Sequence, residues 1–429
     1  MKFFSEIMDP VHGYIQFTDV EKSIIDTEPV QRLHRLKQLG TAYYTYPSAV
    51  HSRFSHVTGA MSLAGLAADR LCAAGYLEED DIQILRLSAL LHDLGHGPFS
   101  HSSERVLRQT TGLTHEDMGS RLISSTEVGD RISAAGFDKE TVSKLAVGKS
   151  EYKSKLFPAK IIAGQVDVDK MDFLNRDSHF SGVPYGRVDH FRLIDGFCPV
   201  DDNLTINANA LYALEQFIIA RYEMFKAVYY HRTVRASEIM LDAILRAYAI
   251  DLGFMKDMSN ETYLEMDDGS VWGRLRILSG GSKSEKEKRD ASELYKMMNR
   301  RELLKPCYEA VHHESNPQGR ILEDARVLQA LSESISTRAN VDASQVFIDT
   351  PTLPTMPLGP FDKGSADIMI YTEKTGEVER LSRLSPLANA LSQYVALVRV
   401  YSLPSARRAV SEAASVVFKR ELIAEKVSY

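Results

Sequence analysis

The sequence predicts a mainly α-helical core followed by a smaller α+β lobe. Apolar residues recur at helical spacing through most of the first 260 residues. A polar run of mixed charge, SGGSKSEKEKRD at 279–290, then interrupts that pattern. Beyond it come short apolar runs of strand length, a proline-rich stretch and further helical periodicity. Residues 1–278 are therefore expected to form the helical core. Residues 279–429 are expected to form the lobe: a polar loop at 279–290, short strands and terminal helices.

In chain order, Val30, Leu33, Leu36 and Leu39 keep near a 3.6-residue period, so 30–39 is expected to be a helix stopped by Gly40. From Val57 to Leu71 small and apolar residues recur (Ala60, Met61, Leu63, Ala64, Ala67), as a helix packed closely by its neighbours requires. Ile82 to Leu94 reads as a third helix, ended by Gly95, Gly97 and Pro98. Ile161 to Asp177 reads as a fourth, and Leu211 to Tyr248 as one long helix. In the lobe, Val346–Asp349 and Ile368–Thr372 read as strands. Four prolines between them (Pro351, Pro354, Pro357, Pro360) exclude a central strand there. Lys374 to Glu377 reads as a turn. Ser385-Pro386 fits an N-cap and first-turn pair for a helix using Leu387, Leu391, Val395 and Val398.

With 429 residues and 44% hydrophobic content, the chain can bury a sizeable core without disulfides. The formal net charge of −7 excludes a generally basic nucleic-acid coat. Cys72, Cys198 and Cys307 are far apart and form no metal-knuckle spacing, which reads as reduced thiols in the cytoplasm. No run approaches the ~18 apolar residues of a membrane span, and MKFFSEIMDP meets acid and proline too early for a signal-peptide core.

Chemistry is concentrated in histidine. Six of the 13 histidines (His51, His56, His92, His96, His101, His115) lie within residues 51–115, where an even spread would leave about two. In LSALLHDLGHGPFSH, His92 and Asp93 follow a buried apolar run, where an imidazole beside a carboxylate is costly unless a cation satisfies both. Gly95, Gly97 and Pro98 break the helix and let the backbone approach a ligand, and His96 and His101 emerge from that break. His56 in HSRFSH and Asp169 in GQVDVDKMDFLNRD are candidates to complete the shell. Asp169, Phe173 and Asp177 share one helix face. Asp177 then lies roughly 12 Å from Asp169, about the reach from a phosphate across a sugar. Arg221 shares a face with Leu214, Ile218 and Phe225, where a cation needs an anionic partner.

The strings DPVHGYI from Asp9, IIDTEPVQRLHRLKQLG from Ile24, HSRFSH from His51, LLHDLGHGPFSH from Leu91, THEDMGS from Thr114 and VDVDKMDFLNRD from Val166 resemble the HD-domain phosphohydrolases. Within that family they are most similar to the deoxynucleoside triphosphate triphosphohydrolases. The resemblance runs strongly over about residues 8–180 and weakly over 210–240. Because it begins at residue 8, no separate SAM-type domain is expected ahead of the core.

The resemblance implies His56, His92, Asp93 and Asp169 as ligands of one divalent ion (Mn, Fe, Zn or Ni, with Mg an option on substrate phosphates). It implies Arg53, Lys170 and Arg221 as phosphate contacts. His96 or His101 is implied as proton donor, and His115 with Glu116 as an orienting pair. Gln38, Leu39, Phe173, Asp177, Tyr229 and Tyr230 would line the sugar. Relatives carry tyrosine where this chain has Phe173, which bears on substrate choice. Of the family's regulatory guanine site, Asp26 and Gln31 match, whereas His34 and Met8 replace an arginine and an asparagine. A regulatory nucleotide is therefore less expected here than in vertebrate relatives. A homo-oligomer, tetramer or hexamer, is implied.

The expected reaction is metal-dependent hydrolysis of a dNTP to deoxynucleoside and tripolyphosphate. Three alternatives stand beside it. One is hydrolysis of another phosphoester, such as a nucleoside monophosphate or signalling nucleotide. Another is a single-stranded nucleic-acid binding protein or nuclease, which the charge disfavours. The last is a non-catalytic scaffold.

Overall fold

The structure, a computed structural model, describes residues 1–149, 152–281, 285–313, 324–353, 368–391 and 395–423. The side chains of residues 101, 311–313, 325, 352–353, 395–396 and 419–423 also lie outside the description. The fold is mainly α with a smaller α+β lobe, as the sequence predicts.

The helix Arg53–Ala73 is the spine of the molecule. Gly59, Ala60, Ala64, Gly65, Ala67 and Ala68 are buried along it, so Glu79–Leu91 packs against it closely. Its first turns (Phe54, Val57, Met61) enter one apolar core, with Leu87, Leu90 and Leu91, the helix Arg232–Ala247 and the helix Lys286–Asn299. Its later turns (Leu63, Ala64, Ala67, Leu71) enter a second core, with Ile82, Leu85, Phe157–Ala163, Val168–Ser181 and Leu211–Met224. His56 therefore sits at the junction of two cores.

Strand Val395–Ser402 is central to a third layer. It pairs antiparallel with Lys305–His313 on one side and with Val346–Asp349 on the other. This sheet, with Ala325–Ala339 and Arg407–Ile423, encloses a separate small core of Ile335, Val346, Val398, Val400, Val410 and Phe418. Phe197–Val200, Asn203–Asn207, Met369–Thr372 and Glu377–Arg380 form a second four-stranded sheet. Ile370, Leu381 and Ala388 thus join the second core, and Leu294, Tyr295 and Met298 join the first. The lobe is not walled off from the residues before 279.

Several expected elements differ. Residues 30–39 are not one helix: Glu28–Gln31 is α-helical, Arg32–Arg35 is a 3-10 turn, and Leu36 is extended. Pairing across to 51–53 (Gln38 N–H to His51 carbonyl 3.0 Å, Arg53 N–H to Leu36 carbonyl 2.9 Å) overrides the helical pattern. The expected helix 161–177 breaks at Gly164, where a Cβ would lie 2.2 Å from the Lys160 carbonyl oxygen, and restarts at Val168 on its Asp167 cap. Leu211–Tyr248 is interrupted by a π turn, Phe225–Tyr229, before Arg232–Ala247 begins. The expected loop 279–290 is shorter, because Asp268–Gly280 and Lys286–Asn299 are helices on either side of it. The helix begun at Pro386 ends at Leu391. Val395 and Val398 belong instead to a strand, where alternating β-branched residues pack well. Val346–Asp349 is a strand as expected, and Met369–Thr372 covers the other expected strand but for its first residue. Pro354, Pro357 and Pro360 lie outside the described residues.

Candidate metal centre and the pocket beside it

His56 lies in the first turn of Arg53–Ala73, fully buried, and its Nδ1 is 2.7 Å from Asp172 Oδ2. His92 caps the end of Glu79–Leu91, and its Nδ1 is 2.7 Å from the Ala89 carbonyl oxygen. A carbonyl or carboxylate oxygen can only accept here, so both Nδ1 atoms donate and both Nε2 atoms face inward. The two Nε2 atoms are 3.3 Å apart.

Around that pair gather the acids. Asp169 Oδ1 is 3.1 Å from His56 Nε2 and 3.5 Å from His92 Nε2. Asp93 Oδ2 is 3.6 Å from His56 Nε2, and its Oδ1 is 3.4 Å from His92 Nε2 and 3.2 Å from His96 Nε2. Neighbouring donors on one octahedral ion with ~2.1 Å bonds stand about 3.0 Å apart, so the donors need shift only slightly to bind one ion. Two imidazoles and two carboxylates suit a borderline divalent ion of the Mn, Fe, Zn or Ni type.

The electrostatics agree with a cation site. Burial works against a charged His56, yet hydrogen bonds to Asp169 and Asp172, with Asp93 nearby, hold its pKa up to about 10. A proton there answers the positive charge that the acids demand, and a divalent ion held by these residues would take its place. Burial alone would raise Asp169, but His56 and His92 hold it well below the usual carboxylate range. The Asp169 side chain keeps 27% exposure, which leaves that side open to solvent and substrate.

Cations flank the cluster. Arg53 donates to Asp93 Oδ2 through Nη1 and to Ser100 Oγ through Nε at 3.1 Å. Lys170 Nζ is already held by Asp167 Oδ2 at 2.6 Å and the Gly164 carbonyl at 3.1 Å. Burial pushes the Asp167 carboxyl up to about 6 against the pull of Lys170. Arg221 differs from both. It is 8% exposed, its guanidinium lies 5.5 Å over the Phe225 ring, and its Nε and Nη1 have no hydrogen-bond partner among the described residues.

His96 stacks on His115 with centroids 4.1 Å apart. The expected His115–Glu116 pairing is corrected: His115 Nδ1 is 2.6 Å from Glu104 Oε1, whereas Glu116 turns outward to Lys149 at 2.7 Å. Helical geometry explains this, since adjacent residues on one helix do not face each other. His101 begins the helix His101–Thr111, and its side chain lies outside the described residues.

At the sugar-side residues, Asp177 is doubly engaged: Oδ1 with His51 Nε2 at 2.8 Å and Oδ2 with the Tyr229 hydroxyl at 2.7 Å. Tyr229 meets Phe173 edge-on at 6.2 Å. Gln38 Oε1 and His51 Nδ1 are buried without partners among the described residues. Leu39 is half-buried against the second core. Tyr230 lies between the Phe225 ring at 5.4 Å, which also meets Tyr229 at 5.0 Å, and the Arg235 guanidinium at 5.9 Å.

Sequence reasoning missed Asp172, which supports His56, and Glu104, which supports His115. Asp172 stands three residues after Asp169 in the quoted run, and the Asp172/Arg176 spacing marked an ion pair; neither signal separates it from a solvated helix face.

Residues 53–177 match the HD domain family, and residues 188–428 match the HD associated region. The chain is 39% identical over 243 residues to the uncharacterized protein YwfO of Bacillus subtilis, covering 55% of this chain and 54% of that protein. It is 35% identical to the deoxynucleoside triphosphate triphosphohydrolase SAMHD1 homolog of Dictyostelium discoideum, covering 56% of this chain and 49% of that one. The chain thus spans about half the length of these two relatives. A phosphohydrolase of Bacteroides thetaiotaomicron, solved by crystallography, superposes with a TM-score of 0.72 at 25% identity, covering 93% of this chain and 99% of its own.

Proposed function

The chain belongs to the HD-domain family, and from that premise we propose that it hydrolyses deoxynucleoside triphosphates to deoxynucleoside and tripolyphosphate. The observation that carries this reading is the convergence of His56, His92, Asp93 and Asp169 beside a buried guanidinium, Arg221, with two unpartnered nitrogens. Such a cation in a metal-bearing cleft favours a polyanionic substrate.

His56, His92, Asp93 and Asp169 would hold the divalent ion. That ion, when bound, supplies Lewis-acid polarisation of a phosphoryl oxygen and lowers the pKa of water. In the overall reaction a water oxygen joins the α-phosphorus, the bond from phosphorus to the 5′-oxygen breaks, and that oxygen takes up a proton. Arg53, Lys170 and Arg221 oppose the charge that collects on the phosphate oxygens. Of these, Arg221 is free to form hydrogen bonds without surrendering any. His96, His101 and His115 are the proton carriers available to the leaving oxygen, and Glu104 orients His115. Asp177, Tyr229, Gln38, Leu39 and Phe173 would take the sugar, and Tyr230 would lie at its margin.

Phe173, where relatives carry tyrosine, favours a second reading on the same site: hydrolysis of another phosphoester, such as a nucleoside monophosphate. A homo-oligomer and a regulatory nucleotide belong with the proposal as well. A cytoplasmic location is part of the proposal; among the described residues no helix is long and apolar enough to cross a membrane. Incubation of the purified protein with each dNTP and Mn²⁺, with and without GTP, tests the assignment. Tripolyphosphate on anion exchange supports it; orthophosphate or pyrophosphate refutes the bond assigned, and turnover of monophosphates alone selects the second reading.

A further inference from the structure

The run Asp9-Pro10-Val11-His12-Gly13 precedes the matched HD domain and has no part in the reaction above. It forms the turn of the hairpin Ser5–Asp9/Gly13–Phe17. Asp9 Oδ1 accepts the N–H groups of Val11 at 3.0 Å and His12 at 2.9 Å, which fixes the turn, and Gly13 closes it at φ +75°. Oδ2 of the same carboxylate accepts from Arg176 Nη1 at 2.6 Å. The turn thereby delivers His12 Nε2 to within 2.6 Å of Asp172 Oδ1.

Asp172 is fully buried directly behind His56. Its Oδ2 accepts from His56 Nδ1 at 2.7 Å and Arg176 Nε at 2.8 Å; its Oδ1 accepts from Arg176 Nη2 at 2.8 Å and from His12. A carboxylate has about four acceptor positions, so this one is saturated and cannot swivel. The helix opposite leaves it no spare room, since a Cβ on Gly59 would lie 2.0 Å from Asp172 Oδ1.

We propose that Asp9 and His12 are positioning residues for the metal centre, acting through Asp172 and Arg176 to fix the tautomer and orientation of His56. The inference rests on the metal centre proposed above. A metal-bound imidazole whose far N–H is held by an oriented carboxylate presents its other nitrogen in one direction only. Here the carboxylate is itself held by a turn some 40 residues upstream of the ligand, so the hairpin is part of the centre without touching it.

Co²⁺ titration of the full-length protein, read by visible absorption, tests this alongside the melting temperature of the metal-free protein. His12→Ala is expected to weaken Co²⁺ binding about 10- to 100-fold, with the metal-free melt within about 2 °C of wild type. His12→Gln, which keeps a donor, should recover part of that loss. Asp172→Asn should weaken binding further and alter the Co²⁺ spectrum; if that variant does not fold, His12→Ala decides alone. Wild-type affinity and spectrum in His12→Ala overturn the inference, as does an affinity loss matched by an equal loss of metal-free stability. Wild-type protein that takes up no Co²⁺ overturns the metal centre itself, which is a distinguishable result.

Discussion

Arg221 is a guanidinium removed from water with two nitrogens unpartnered, an arrangement that weakens the metal-free protein. Burial lowers its pKa, and the nearby Asp167 only partly offsets that. Replacement by methionine, which keeps the contact with Phe225, should therefore stabilise the metal-free fold by about 1–3 kcal/mol. The same change should raise KM for a triphosphate about tenfold or more, because a charge-assisted phosphate contact is lost. Denaturant melts and steady-state kinetics on one preparation check both. A variant that loses stability and keeps its KM would place Arg221 among structural ion pairs. Gly59 gives a second prediction at this scale. Gly59→Ala adds a methyl 2.0 Å from Asp172 Oδ1 and 2.4 Å from Arg176 Nη2, so the supporting carboxylate must move. The expected cost is about 1–3 kcal/mol of stability, with loss of bound metal by elemental analysis. His92 and Asp93 were legible in the sequence as candidates because an imidazole beside a carboxylate after a buried apolar run is unusual; His56 stood out only through the histidine cluster and the resemblance. Asp172 was not, since a carboxylate that supports a ligand has the same spacing as one that faces water.

Among the elements, the loop after His92 is irregular and heavily braced. Phe99 and Ser100 both adopt positive φ, 58° and 54°, a conformation that costs non-glycine residues about 1–3 kcal/mol each. Three side chains from elsewhere bond its backbone. Tyr263 donates to the Gly95 carbonyl at 2.6 Å, Arg32 donates to the His96 carbonyl at 2.9 Å, and Asp268 accepts from Phe99 N–H at 2.8 Å. Asp268 also accepts from Lys37 N–H at 3.0 Å, so one carboxylate joins the loop of His96 to the loop of Gln38 and Leu39. Asp268→Asn replaces one acceptor with a donor facing a donor. It should lower kcat while metal content stays at the wild-type level, which turnover and elemental analysis together decide; unchanged kcat would show that the loop holds its shape without it. None of these braces was legible in advance. Helical periodicity reports burial of apolar faces, and it says nothing about which polar side chain satisfies a distant backbone group. The same blindness made 30–39 look helical, although Leu36 to Gln38 pair with 51–53 instead.

Across the whole molecule, the candidate ligands come from Arg53–Ala73 and the end of Glu79–Leu91, which contribute to both large cores, and from Val168–Ser181, which contributes to the second. The small core around Val398 and Val410 contains none of them. It is tied to the rest by Arg235 Nη2, which donates to Asp349 Oδ1 at 2.7 Å, by Arg399 Nη1, which donates to the Tyr230 carbonyl at 2.5 Å, and by the Tyr401 hydroxyl, which donates to the Arg232 carbonyl at 3.0 Å. Binding of a divalent ion therefore couples the large cores to each other directly and reaches the small core through those links and through Tyr401 and Phe347, which pack on the first core. At a free-ion concentration about 100 times Kd, mass action adds about 2.7 kcal/mol to the stability of whatever unfolds together with the site. Hydrogen exchange with and without Mn²⁺ should show slowed exchange in 53–73, 79–91 and 168–181, and little change in 331–339 and 407–418. Equal protection of 331–339 and 407–418 would mean that the chain unfolds as one cooperative unit, with Arg235, Arg399 and Tyr401 transmitting the metal's effect across the boundary.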